Sequence, residues 1–194
     1  MPRMTGGEAV VRSLVRAGVE IIFGLPGVQM YGLTIAIRDD PGIRMITPRS
    51  EFALTYMADG YARTGNRIAP VMVVPGPGVY NAAGGLSTAY STSSPVMLIA
   101  GQTPRDTIGG NTGALHEVND QMDTIKPITK WQGRSPSFPS GAEASARRMC
   151  SSSQGLSPSS SSWATIAVGY QFRHTSGQRA SNKSSAYLCI SLWS

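Results

Sequence analysis

The sequence predicts an α/β fold with a doubly wound parallel sheet, incomplete at its far edge and followed by a disordered Ser-rich tail. Three observations carry this expectation. Helical segments and short apolar segments alternate four times between residues 5 and 100. The short segments are apolar on both faces, as expected where helices cover both sides of a parallel sheet. Beyond Trp131 the periodicity ceases, and Ser135–Ser162 is rich in Ser, Pro and Gly, a composition typical of linkers and disorder.

The elements follow in order. Thr5-Gly6-Gly7-Glu8 fits a capping box, in which hydroxyl and carboxylate satisfy orphan N–H groups at a helix start. Val10, Val11, Leu14 and Val15 recur at helical spacing, and Gly18 suits the stop. Glu20–Gly24 reads as a buried strand, broken by Leu25-Pro26-Gly27. Residues 29–39 form a second helix, with Leu33, Ile35, Ala36 and Ile37 as its apolar part; Ile43–Ile46 is a second strand. Ser50 can cap a third helix that runs to about Arg63, and Ala69–Val74 is a third strand. The turn Pro75-Gly76-Pro77-Gly78 leads to a helix over Tyr80–Tyr90, and Pro95–Ala100 is a fourth strand. Trp163–Phe172 has strand character but stands isolated.

Crossovers of this length are right-handed, and ligands on such sheets bind beyond the carboxyl ends of the strands. Three Gly/Pro elements fall there: Gly24-Leu25-Pro26-Gly27, Gly76-Pro77-Gly78 and Gly101-Gln102. One end of the sheet is thus built for close approach to the backbone.

Charge divides the chain in two. Residues 1–130 hold 11 Lys/Arg and 10 Asp/Glu, whereas residues 131–194 hold 6 Lys/Arg and one acid, Glu143. The overall +6 is mostly a property of the tail. Its basic residues are scattered and form no stripe, which argues against nucleic-acid binding. Cys150 and Cys189 form no metal-ligand pattern. No run of about 18 apolar residues occurs, so no membrane span is expected, and the N-terminus has no apolar signal region. The expected compartment is the cytoplasm.

Three segments, in order, resemble the thiamine-diphosphate enzymes that act on 2-oxo acids. They are Gly18–Gly27; Arg49-Ser50-Glu51-Phe52-Ala53 running on to Met57–Arg63; and Gly76-Pro77-Gly78-Val79-Tyr80-Asn81, continued by Gly85-Leu86 and Ser94-Pro95-Val96 to Gly101-Gln102. The order is similar to the acetolactate-synthase branch, and the resemblance spans residues 4–131. Val74-Pro75 and Ser50-Glu51-Phe52 depart from residues common in that branch, which bears on substrate more than on family. The resemblance implies the pyrimidine-binding domain of such an enzyme and a reaction that decarboxylates a 2-oxo acid and joins carbon units.

The resemblance further implies that Glu51 is the catalytic glutamate that hydrogen-bonds N1′ of the aminopyrimidine. Pro26, Gly27, Gly76, Pro77, Gly78 and Asn81 would line the cofactor, with His116 and Gln121 on the substrate side. Plainer roles stay open at each. Glu51 makes a good helix start, Gly27 and Gly78 permit turns, Asn81 caps helices well, and His116 suits a surface loop. The family holds Mg²⁺ on the diphosphate and FAD in a middle domain, but the 194 residues contain neither Gly-Asp-Gly nor Asn-Asn, so no metal ligand is assigned. Such enzymes place their site between subunits, which implies a homodimer or pairing with a full-length homologue. A Rossmann reading of Gly76-Pro77-Gly78-Val79-Tyr80-Asn81 fails because Asn81 takes the third glycine's place and the turn follows the third strand. Serine, charge, cysteine and periodicity all change near Trp131, where a further helix and strand are due. The expectation is a truncated or frameshifted gene product, with a domain over 4–131 and a non-homologous tail over 132–194.

Overall fold

The computed structural model describes residues 5–65, 67–104, 107–134 and 165–169. Helix α1 (Gly6–Arg16) opens with the predicted capping box between Thr5 and Glu8. It ends in a Schellman motif: Gly18 N–H donates to Val15 and Val19 N–H to Leu14, with Gly18 at φ +77°. Strand β1 (Ile21–Gly24) follows, then a single turn at Val28–Met30 and helix α2 (Tyr31–Asp39). Leu33, Ala36 and Ile37 are buried in α2, but Ile35 is 49% exposed. The 33/36/37 spacing selects one helical face and leaves Ile35, the fourth member of the predicted apolar part, on the other.

Strand β2 (Arg44–Ile46) leads to α3 (Glu51–Gly65), β3 (Ala69–Val73), α4 (Pro77–Thr92) and β4 (Val96–Ala100). Helix α4 starts three residues earlier than its apolar pattern suggests. Pro77 lacks only an N–H that is orphaned at a helix start, so it begins the helix rather than delaying it. All five residues of β3 and all five of β4 are buried, as their unbroken apolar runs require.

These four strands are parallel, in the order β2-β1-β3-β4. Ile22, Met72, Met97 and Ile99 face one layer of the core with Val11, Leu14, Leu33 and Ile37 of α1 and α2. Phe23, Val71, Val73 and Leu98 face the other, with Leu54 and Ala58 of α3 and Val79 and Leu86 of α4. The sheet is thus doubly wound, as predicted. No helix among the described residues is long and apolar enough to cross a membrane.

The sheet does not stop at β4. After α5 (Gln121–Ile125), strand β5 (Trp131–Arg134) forms. Strand β6 (Thr165–Gly169) lies antiparallel between β4 and β5. The apolar segment read as isolated therefore pairs over 165–169 and covers the β4 edge that was expected to stay open. Sequence alone showed no partner because the pairing joins residues far apart in the chain, from Ala100 with Thr165 to Val96 with Gly169. The Ser-rich stretch predicted as a disordered tail, with Cys150, Cys189 and Trp193, lies outside the described residues.

Candidate functional site

The direction of winding reverses at β1. From it the chain moves to β2 on one side, then returns to β3 on the other. The turns after β1 and β3 leave toward helices on opposite faces of the sheet. A crevice is expected beyond the carboxyl ends of these neighbouring strands, the place where open α/β sheets receive ligands.

Pro26 and Gly27 lie on the first of these turns, and Gly76, Pro77 and Gly78 on the second. The two are pressed together through Val74. A methyl group on Gly27 would overlap the Val74 Cγ1 methyl, and one on Gly78 would stand 2.8 Å from Cγ2. Gly76 carries a different constraint. Its φ of +59° with ψ of −110° suits only glycine, and a side chain there would meet the His116 carbonyl oxygen at 2.6 Å. Pro77 is exposed at the start of α4.

The third turn joins the same assembly. Gln121 is fully buried; its Oε1 accepts from Gly76 N–H at 3.2 Å and its Nε2 donates to the Gly101 carbonyl at 2.8 Å. One side chain thereby ties the end of β3 to the end of β4. Gln29, also buried, donates from Nε2 to the Leu115 carbonyl at 3.0 Å, and its Oε1 lies 3.0 Å from His116 Nδ1. His116 is half-buried in the left-handed region, at φ +66°. Its neighbour Glu117 fixes the loop by accepting from Ala114 N–H at 2.9 Å and the Thr112 hydroxyl at 3.3 Å.

Glu51 arrives from a different direction. It is the first residue of α3, where the helix dipole favours an anion. Helix α3 packs along α4, and the contact is close because Gly84 and Gly85 face Phe52 and Thr55. This brings the two helix starts together, and Asn81 Nδ2 donates to Glu51 Oε2 at 3.3 Å. Both side chains remain accessible: Glu51 is half-buried and Asn81 exposed. Asn81 is no helix cap here, since Gly76 holds that position.

The predicted residues thus form two groups that share the start of α4. Glu51 and Asn81 make one. Gly76, His116 and Gln121 make the other, with Pro26 and Gly27 close by through Val74. Sequence reasoning passed over Gln29. The available signal was a lone polar residue between Val28 and Met30, just after the Pro26-Gly27 turn. Among the described residues no group of three His, Cys, Asp or Glu side chains could hold a metal ion.

Comparison with known proteins matches this architecture. The family model described as thiamine pyrophosphate enzyme, N-terminal TPP binding domain, matches residues 4–124. The acetolactate synthase large subunit of Buchnera aphidicola is 40% identical over 130 residues, 67% of this chain and 22% of the relative. A probable 2-ketoarginine decarboxylase of Pseudomonas aeruginosa is 38% identical over 126 residues, 65% of this chain and 22% of the relative. A probable acetolactate synthase large subunit of Methanocaldococcus jannaschii is 39% identical over 127 residues, 66% and 21%. The chain therefore spans about a fifth of the length of the curated relatives it matches. The switch point, the glycines of its two turns and the carboxylate at the head of α3 all fall inside the matched span, and the chain belongs to the thiamine pyrophosphate enzymes through their N-terminal TPP-binding domain.

Proposed function

We propose that the crevice is the pyrimidine half of a thiamine-diphosphate site of the acetolactate-synthase type. The observation that carries this reading is the meeting of Glu51 and Asn81 at the starts of α3 and α4, one turn from Gly76-Pro77-Gly78. The residues fit that half of the group. A flat, nitrogen-rich ring would be accepted by glycine turns and held by a carboxylate, groups that Gly27, Gly76 and Gly78 and Glu51 would supply. When bound, thiamine diphosphate supplies the electron sink for decarboxylation of a 2-oxo acid. This chain's part is to orient the ring and to hold a proton at Glu51 Oε. Asn81, donating to that carboxylate, keeps it turned toward the crevice. Pro26 and Gly27 bound the crevice from the β1 side and His116 stands toward the substrate, while Gln121, placed on the substrate side by the resemblance, is buried and serves there only by holding the backbone of Gly76 and Gly101.

The 194 residues offer nothing for the other half. They contain no Gly-Asp-Gly and no Asn-Asn to hold Mg²⁺ and diphosphate, and no FAD domain is assigned. The chain by itself is therefore inactive and works by completing a site with a second chain in the cytoplasm. The exposed apolar side chains Phe52, Tyr56 and Met57 of α3 and Tyr80 of α4 favour pairing with another copy or with a full-length homologue. The alternative, a non-catalytic interaction module, rests on the same surface.

The purified chain should show no turnover of pyruvate with thiamine diphosphate and Mg²⁺. Turnover should return when a separate diphosphate-binding domain from an acetolactate synthase is added, and should vanish again with Glu51→Gln. Cofactor-dependent turnover by the chain alone, lost in Glu51→Gln, would overturn the half-site reading. Association with a full-length homologue that gives no turnover would favour the interaction module.

A further inference from the structure

We infer that Gln29 is a positioning residue that fixes His116 as its Nδ1–H tautomer and leaves Nε2 as the ring's proton acceptor. Two contacts and the donor inventory of the side chains fix the hydrogen's place. The Leu115 carbonyl carries no hydrogen, so the Gln29 atom 3.0 Å from it must be the amide nitrogen. That contact sets which way the Gln29 amide faces. Its carbonyl oxygen then lies 3.0 Å from His116 Nδ1 and has no hydrogen to give. The hydrogen in that bond must come from the imidazole. In the neutral ring Nε2 is then the bare nitrogen, and among the described residues it has no partner.

The surroundings hold the arrangement. Gln29 is 8% exposed, so water does not readily replace either bond. It sits in the short turn after Gly27, packed beside Gly101, where a methyl group would meet Gln29 Cβ at 3.2 Å. His116 occupies the left-handed region at φ +66°, which histidine visits more often than most side chains. Its own carbonyl is fenced by Gly76. Backbone and side chain of His116 are thus held from separate directions. Free imidazole side chains favour the opposite tautomer, with the hydrogen on Nε2, so the effect is measurable. The consequence for catalysis rests on the proposed crevice: a histidine on the substrate side would accept a proton, or a substrate hydrogen bond, through Nε2. The tautomer itself does not depend on that reading.

The test is the ¹⁵N spectrum of the full chain with labelled histidine, at pH about 9, where an ordinary imidazole is neutral. The chain has two histidines, His116 and His174, and His174→Asn leaves a single signal set. His116 should show a pyrrole-like Nδ1 and a pyridine-like Nε2. Gln29→Glu loses the donor to the Leu115 carbonyl but keeps an acceptor opposite Nδ1, and should preserve this pattern. Gln29→Ala removes it and should shift the ring toward the Nε2–H form. A wild-type spectrum dominated by Nε2–H would overturn the inference even if Gln29→Ala fails to fold. So would a folded Gln29→Ala chain with the wild-type pattern. No cofactor or substrate is present in this experiment, so failure of the half-site reading leaves its outcome untouched.

Discussion

At the Gly76–Gly101 end of the crevice, Gln121 is fully buried and both ends of its amide are taken by main chain. At the α3–α4 end, Glu51 is half-exposed and its bond to Asn81 is 3.3 Å long. The two ends use polar side chains for different work. A buried polar group with every bond made cannot be offered to a ligand, but it holds the backbone where the ligand needs it. A half-exposed carboxylate with one long bond adds little to the fold and can exchange its partner. Rigidity at one end serves availability at the other.

The sharpest way to break this contrast is to remove Gln121. In Gln121→Ala, Gly76 N–H and the Gly101 carbonyl lose their partner in a site sealed from water. Each orphaned group costs about 1–3 kcal/mol, and the emptied volume adds to that. The urea midpoint should fall by more than for any other change considered below. A loss under about 1 kcal/mol would mean that water replaces the amide and that this end is no more rigid than the other.

Gly76→Ala should come next. The left-handed φ with ψ near −110° costs a residue bearing a Cβ about 1–3 kcal/mol, and the new methyl group meets a backbone oxygen at 2.6 Å rather than a flexible side-chain end. Loop 113–118 must move to make room, so amide resonances of Leu115, His116 and Glu117 should shift more than those of α1. Equal shifts in both places would show that the strain spreads through the sheet instead of staying at the crevice.

Why one end was more legible than the other follows from these same residues. The capping box at Thr5 and Glu8, the stop at Gly18 and the apolar runs of β3 and β4 are local signals, complete within a few positions. Glu51 and the glycines could be named because the family motifs carry them at set spacings. The lock could not be read. Gln121 reaches Gly76 across 45 positions, and Gln29 reaches His116 across 87. A glutamine in a short polar stretch looks the same whether it ties two strands together or faces water. The β4–β6 pairing was hidden for the same reason, since β6 lies beyond a long Ser-rich stretch.

Glu51→Gln tests the available end. The fold should lose less than about 1 kcal/mol, the worth of a charge in a helix's first turn, because Gln keeps the shape and an acceptor for Asn81. Turnover in the reconstituted system should nevertheless disappear. A large stability loss would instead place Glu51 among the structural residues with Gln121.

The smallest effect expected lies between the two ends, at Glu117, and is one of pH. The Ala114 N–H holds this carboxyl below the ordinary glutamate range; burial works against that, and the N–H groups of Thr112 and Gly113 with the Thr112 hydroxyl add to it. A carboxyl whose folded value is depressed contributes stability in full above the ordinary range and loses it as pH falls through the depressed value. The urea midpoint of the wild-type chain should therefore exceed that of Glu117→Gln near neutral pH, and the gap should close on acidification below the ordinary glutamate range. Glu117 Oε1 is buried without a partner among the described residues, so the anion is held through Oε2 alone and the gap should be modest. Loop 112–117 presents His116 to Gln29, so the neutral Gln variant should also loosen that pair slightly while leaving Gln121 in place. A gap that persists unchanged into acid would mean that Glu117 supports the loop by packing and hydrogen bonding in either protonation state, and that its charge plays no part in holding His116.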